Sequence, residues 1–256
     1  FSVPSYLIVR DLFPDWLVKT GQMKKSLIYW FFKYFERKSF LQADIIGMES
    51  KEDIAYCRQL ITQRKIKVEH LYNWYREPDV TDSVSEYKNL FMKNKINLIY
   101  GGNLGLAQNI RAFLSKLEKI EAYNLRIIII GDGDQKDEIN EFSESTSLDI
   151  KLVPMMKRDE YLSLVKLADI GLVVLDKNLR AHNYPGKSFD YMFFSKPIFS
   201  YLHSTNEFGL MIDRMNFGYT VKADNEESLN EKIEMLKNTE LMLEKGKNAK
   251  EVLTTY

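Results

Sequence analysis

Four short stretches carry residue types suited to chemistry, and each follows a run of apolar residues. The first is Gly101-Gly102-Asn103-Leu104-Gly105, with Gln108 just beyond it. Glycines let backbone amides approach a ligand. A helix start behind them offers unpaired N–H groups and a positive dipole end, so diphosphate is the natural guest. A tight turn with no ligand has the same composition, and neither a Walker loop nor the full dinucleotide fingerprint is present. The second stretch is Gly131-Asp132-Gly133, which reads as a turn that also permits close chain approach beside the first. The third runs from Asp176 to Ser195 and gathers Lys177, Arg180, His182, Tyr184, Lys187 and Asp190. Lys and Arg offset phosphate charge, and a carboxylate accepts two hydroxyl hydrogen bonds, which suits a phosphate and a ribose. A solvated loop is the competing reading, since Lys and Arg are mostly exposed, and His182 alone suits a structural role. The fourth stretch is Arg10-Asp11, whose carboxylate serves equally as a helix cap.

The elements that must position these residues alternate between strand and helix. Tyr6–Val9, Asp44–Gly47 and Ile66–His70 read as strands, separated by helical patterns over about Lys24–Leu41 and Glu52–Thr62. A stretch from Asn73 to about Asn89, with Pro78 and four acids, reads as an interdomain linker. Beyond it come strands at Ile96–Tyr100, Leu125–Ile130, Ile150–Val153, Ile170–Leu175, Ile198–Tyr201 and Tyr219–Val221. The stripe Leu106, Ile110, Phe113, Leu114, Leu117 and Ile120 predicts a helix directly after the first glycine stretch. Asp224 or Asn225 caps a last helix from about Glu226. Strands separated by helices mean βαβ units and a parallel sheet. Ligands of such sheets sit at the carboxyl ends of the strands, where all four stretches fall. The organisation expected is residues 1–88 as one incomplete Rossmann-like unit with its linker, and 89–256 as a second, nearly complete one.

Composition excludes several classes. The 256 residues hold 36 Lys plus Arg and 36 Asp plus Glu, so the net charge is zero and a general nucleic-acid binder is not expected. Cys57 is alone, which rules out a disulfide framework and a four-cysteine zinc site and fits a reducing compartment. No run of 18 apolar residues exists, so no membrane-spanning helix is expected. The chain begins at Phe1 with no signal peptide, which suggests a start in mid-protein.

Taken in order, the motifs resemble those of family 4 glycosyltransferases, which have the GT-B fold. They are Val9-Arg10-Asp11-Leu12-Phe13-Pro14, Ala43-Asp44-Ile45-Ile46, Tyr72-Asn73-Trp74, Tyr100–Gln108, Ile130-Gly131-Asp132-Gly133, and Pro185–Met192 ending in Lys196-Pro197. The similarity runs over essentially the whole chain and is nearest the bacterial surface-polysaccharide branch, such as the N-acetylfucosamine transferases of O-antigen synthesis. It implies an α/β architecture of two Rossmann-like parallel-sheet domains facing a cleft. The amino-terminal, acceptor-binding domain would lack roughly its first half here, and the final helix that crosses back would be absent. The family's paired glutamates, eight positions apart, fall on His182 and Asp190. By resemblance Asp190 accepts ribose hydroxyls, while His182 departs from the pattern near the donor sugar. The family's arginine and lysine on the first loop of the second domain fall on Asn103 and Gln108, which removes two diphosphate cations. Lys187 then becomes the expected phosphate partner, with Arg180 second. Met155 and Met156 meet uracil through their backbone, Gly102, Gly105, Gly131 and Gly133 line the diphosphate, and Arg10-Asp11 stands where the family often has His-Asp at the acceptor side.

The resemblance further implies a retaining reaction by front-face substitution. The donor is a nucleotide sugar, UDP-linked by family precedent, and neither cofactor nor metal is needed. The acceptor is a polyprenyl-linked or polysaccharide chain of an O-antigen or capsule. The segment Lys19–Lys38 sets Lys19, Lys24, Lys25, Lys33, Arg37 and Lys38 among eight apolar and aromatic residues, against the one acid Glu36. Such a basic aromatic helix suits an anionic membrane surface, and packing against the sheet is the alternative. The expected location is cytoplasmic, peripheral on the inner face of the membrane. A sugar-nucleotide 2-epimerase of the same fold and a non-catalytic nucleotide-sugar-binding subunit are the competing readings. A nicotinamide oxidoreductase is more distant, because the glycine spacing lacks the dinucleotide pattern.

Overall fold

The computed structural model describes residues 3–19, 21–62, 64–71, 73–78, 86–179 and 184–255. Arg180 and His182, together with Tyr72, lie outside the described residues. Contacts divide the chain into two units. One is Phe1–Trp74 with Asn178–Tyr184 and Thr205–Phe208; the other is Tyr75–Lys177, Pro185–Ser204 and Gly209–Tyr256.

The first unit runs β1 (Tyr6–Val9), α1 (Asp15–Lys19), α2 (Leu27–Gln42), β2 (Ile45–Met48), α3 (Lys51–Leu60) and β3 (Lys67–His70). Its strands form a parallel sheet in the order β1-β2-β3, with Tyr6 opposite Ile45 and Ile45 opposite Lys67. Phe40, Ile46, Met48, Cys57 and Val68 are buried together as its core. The start of α3 is written in the sequence. The Ser50 hydroxyl accepts from the Asp53 N–H at 3.0 Å, and Glu52 and Asp53 complement the dipole of the first turn. A charged cluster joins the three helices: the Lys33 ammonium reaches Asp15 of α1 at 2.8 Å and also meets Glu36 of α2 and Tyr56 of α3. By contrast Leu27, Ile28, Trp30, Phe31, Tyr34 and Phe35 of α2 stay exposed, from 49% to 89%.

The second unit runs β4 (Ile96–Asn103), α4 (Ile110–Lys119), β5 (Leu125–Asp132), α5 (Lys136–Ser145), β6 (Asp149–Val153), α6 (Arg158–Leu167) and β7 (Ile170–Val174). It continues with α7 (Lys187–Phe193), β8 (Ile198–Leu202), α8 (Glu207–Arg214), β9 (Gly218–Lys222), α9 (Leu229–Met235) and α10 (Thr239–Thr255). The sheet is wholly parallel in the order β6-β5-β4-β7-β8-β9. A parallel sheet covered on both faces needs strands apolar on both sides, which is why Ile127–Ile130 and Leu172–Val174 are continuous apolar runs and are buried. Strand order reverses between β4 and β7, so the crevice outside their carboxyl ends is where such a sheet takes ligands.

Two local expectations change. The glycines Gly101 and Gly102 do not open a helix. They end β4, where Gly101 and Gly102 lie opposite Ile130 and Gly131, and α4 begins only at Ile110 after a turn. The reason is close strand approach: a side chain on Gly131 would run into the Gly102 carbonyl oxygen. Leu106 therefore leaves the apolar stripe and is 51% exposed. The last helical stretch is also divided. Asn225 caps only a single 3-10 turn, Glu226–Ser228, and α9 and α10 follow separately.

Candidate functional site

The loops after β4, β5 and β7 are stitched to one another at the switch point. The Leu104 N–H donates to the Asp132 carbonyl and the Gln135 N–H to the Leu104 carbonyl, both at 2.8 Å. The Asp176 N–H donates to the Ala107 carbonyl at 2.9 Å. Side chains repeat the linkage: Gln135 Nε2 donates to Asn109 Oδ1 at 3.3 Å, and Asn109 Nδ2 donates to Asp176 Oδ2 at 2.6 Å. Gly102 and Gly133 take φ of +138° and +149°, a region that L side chains avoid. At these two positions of the site, conformation demands glycine. At Gly133 a Cβ would also come within 2.7 Å of Asn103 Oδ1.

Lys187 stands beside this backbone. A Cβ built on Gly102 would be 3.1 Å from the Lys187 ammonium, which places the cation against the end of β4. It is partly buried and lies 3.5 Å from the centre of the Tyr100 ring. The Tyr100 hydroxyl in turn donates to the Asn103 carbonyl at 2.7 Å. Among the described residues no carboxylate pairs with this ammonium, and burial pushes its pKa down to about 7. A desolvated cation without an anion beside glycine backbone suits an incoming phosphate. Asn103 and Gln108 share a hydrogen bond, Nδ2 to Oε1 at 3.3 Å, across Gly105, whose own Cβ would stand 2.7 Å from that amide nitrogen.

Asp190 is held by partners within this chain. It is 4% exposed, and Arg158 Nη2 and Nη1 donate to its two oxygens at 2.7 and 3.3 Å, while Tyr75 adds a hydrogen bond at 3.1 Å. Burial raises its pKa, and the Arg158 charge works against that rise. The pairing follows from the packing of α7, which turns Asp190 inward between Ser188 and Tyr191, both fully buried, while Arg158 reaches it from a side chain that stays 58% exposed. Arg158 opens α6, just after Met155 and Met156. Met155 is exposed at 66% and Met156 is partly covered, both past the carboxyl end of edge strand β6. The structure thus brings Gly102, Asn103, Gly105, Gln108, Gly131, Gly133 and Lys187 into one neighbourhood.

In the first unit, Arg10 follows β1. Its Nη2 donates to Asn73 at 2.5 Å, its Nε is 3.3 Å from Glu49, and its guanidinium lies 4.8 Å from the centre of the Trp74 ring. Glu49 follows β2 directly and is 5% exposed; burial raises its pKa, with Arg10 opposing and the nearby Asp11 adding to the rise. Asp11 itself is exposed. Sequence reading missed Glu49, Arg158, Gln135 and Asn109. Glu49 had a signal, a carboxylate at the end of a short apolar run. The other three had none, because their partners are distant in sequence.

No family model matches the chain. It is 23% identical over 219 residues to a probable glycosyltransferase of Pseudomonas aeruginosa, WbjE, a match that spans 83% of this chain and 54% of the relative. The chain therefore covers about half the length of that protein. Among solved structures, it superposes with TM-score 0.70 on WaaG, a glycosyltransferase involved in lipopolysaccharide biosynthesis, at 14% identity, covering 99% of this chain and 72% of WaaG. HepE of Anabaena in complex with UDP-glucose gives 0.64 at 14% identity, covering 87% of this chain and 64% of HepE. The α/β fold with parallel sheets is the one these GT-B-type glycosyltransferases share.

Proposed function

We propose that the chain is the donor-holding part of a retaining glycosyltransferase, one that moves a sugar from a UDP-linked donor to a polyprenyl-linked or polysaccharide acceptor in surface-polysaccharide synthesis. The observation that carries this reading is Lys187, a partly buried ammonium beside the Gly102 backbone at the switch point, with no carboxylate partner among the described residues. The UDP-glucose complex of the similarly folded HepE supports the choice of donor. In the proposed step the C1–O bond to the β-phosphate breaks, the acceptor oxygen bonds to C1 on the same face, and its proton passes to the departing phosphate. The protein's task is to stabilise charge growing on the diphosphate. A fixed cation and backbone amides do that without reorganisation.

Two measurements test it. Calorimetry should give saturable UDP binding that Lys187→Ala weakens at least tenfold with the fold intact by circular dichroism. UDP release in the presence of a polyprenyl-diphosphate sugar acceptor should fall about 100- to 1000-fold in Lys187→Ala, the effect of losing one oxyanion donor elsewhere. Unchanged UDP affinity in the variant would refute the reading. The basic aromatic helix α2 supports the further part of the proposal, that the enzyme works as a peripheral protein on an anionic membrane where lipid-linked acceptors are presented. Arg10, Asp11 and Asn73 are proposed to contact the acceptor.

A further inference from the structure

Lys187 has an aromatic partner where a carboxylate would be usual. Tyr100 lies in β4, which β5 and β7 flank in the middle of the large sheet. Its side chain is 0% exposed and belongs to the main core with Leu98, Phe113 and Ile129. Close packing of this kind holds a ring in one orientation. The Lys187 ammonium lies 3.5 Å from the centre of that ring. The Tyr100 hydroxyl donates to the Asn103 carbonyl at 2.7 Å, so the same side chain also secures the turn after Gly102. Burial raises the pKa of that hydroxyl, which keeps the ring neutral and leaves no phenolate to pair with the lysine. An ammonium drawn out of water loses its hydration. A carboxylate would compensate but would also cancel the charge. An aromatic face attracts the cation through its quadrupole, more strongly when both are desolvated, and leaves the charge intact.

We propose that Tyr100 is a positioning residue, whose ring holds the Lys187 ammonium at the end of β4 without neutralising it, so that its full charge is available to a diphosphate. This rests on the reading of Lys187 as the diphosphate cation and adds that Tyr100 acts through it. In the sequence, Tyr100 is one more residue of an apolar strand, and only the fold sets its ring beneath a lysine of α7 that lies 87 positions further on.

Calorimetry of the whole chain with UDP tests it, using a series of rings at position 100. Tyr100→Phe is the reference, because it keeps the ring and removes only the hydroxyl. Phenylalanine analogues with one, two and three ring fluorines fill nearly the same space with a progressively weaker negative face. The expected result is an affinity that falls stepwise along the series, by about fivefold at three fluorines. Tyr100→Leu, with the fold checked by circular dichroism, should lose at least as much relative to Tyr100→Phe. In a Lys187→Ala background the same series should be flat, whereas a packing role alone would give the losses with or without the lysine. A flat series with Lys187 present overturns the proposal, as do equal losses in both backgrounds. Proton magnetic resonance gives a readout that needs no ligand. The Lys187 ε-methylene protons should be shifted upfield by the ring, with the shift kept in Tyr100→Phe and lost in Tyr100→Leu. Unshifted protons in the wild-type chain overturn the proposal whatever UDP does. Should the wild-type chain bind inorganic pyrophosphate but not UDP, with the stepwise loss seen for pyrophosphate, the transferase reading falls and the role of Tyr100 stands.

Discussion

Lys187 concentrates the residue-scale argument. Burial pushes the pKa of its ammonium down to about 7, with no paired anion among the described residues to offset the desolvation. A diphosphate would restore the charged form and raise that pKa, so proton uptake is linked to binding. The sign follows: above about pH 7 the free protein must take up a proton to bind, and affinity falls as pH rises. We therefore expect UDP-glucose, whose phosphates do not titrate in this range, to bind several-fold more weakly at pH 8.5 than at pH 6.5. Calorimetry at both values checks this, and the slope should vanish in Lys187→Gln. Asp190 carries a different lesson. Arg158→Ala would leave a buried carboxylate with Tyr75 as its remaining donor, and removing one partner of a buried acceptor costs about 1–3 kcal/mol. Urea denaturation should show a loss of that order.

At the scale of the element, the glycines act through strand geometry more than through a helix dipole. Gly101 and Gly102 extend β4 beyond its apolar stretch, and Gly131 extends β5 beside it, so the two strands end together. Gly131→Ala would drive a methyl into the Gly102 carbonyl oxygen. The strands must part at the site, and the variant should lose about 3 kcal/mol in a denaturant melt, the upper part of the range for overpacking. UDP affinity should fall with it, because the backbone amides beside Lys187 move. The charged cluster of Lys33, Asp15, Glu36 and Tyr56 is the corresponding device in the first unit. It fixes α2 to α1 and α3 through its buried side and leaves the aromatic side uncovered.

Across the whole molecule, net charge is zero, yet the segment Lys19–Lys38 carries Lys19, Lys24, Lys25, Lys33, Arg37 and Lys38 against the one acid Glu36. Trp30 and Phe31 are exposed at 60% and 57%, and no helix of the described residues is long and apolar enough to cross a membrane. A surface helix of this kind gains from apolar insertion and from attraction to anionic lipid together. In vesicle flotation, the protein should rise with phosphatidylglycerol vesicles and much less with phosphatidylcholine. Trp30→Ser with Phe31→Ser should abolish flotation, and raised salt should weaken it by screening. Equal flotation with neutral lipid, or none with either, would end the membrane proposal.

Local patterns alone determined the alternation of strand and helix, because apolar periodicity is a property of neighbours in sequence. Tyr6–Val9 and the apolar run Ile170–Leu175 are legible that way. The ordered motifs likewise pointed to the two-unit α/β architecture, and Lys187 was singled out as a cation among candidate loops. Tertiary structure decided what depends on distant partners. It decided that Asp190 faces Arg158 and Tyr75, since burial of α7 turns that carboxylate inward. It joined Gln135, Asn109 and Asp176 across three loops. The physical reason is the same in each case. A charge or a polar atom has no fixed role until packing sets its desolvation and the partner within hydrogen-bond reach, and those come from segments far apart in the chain.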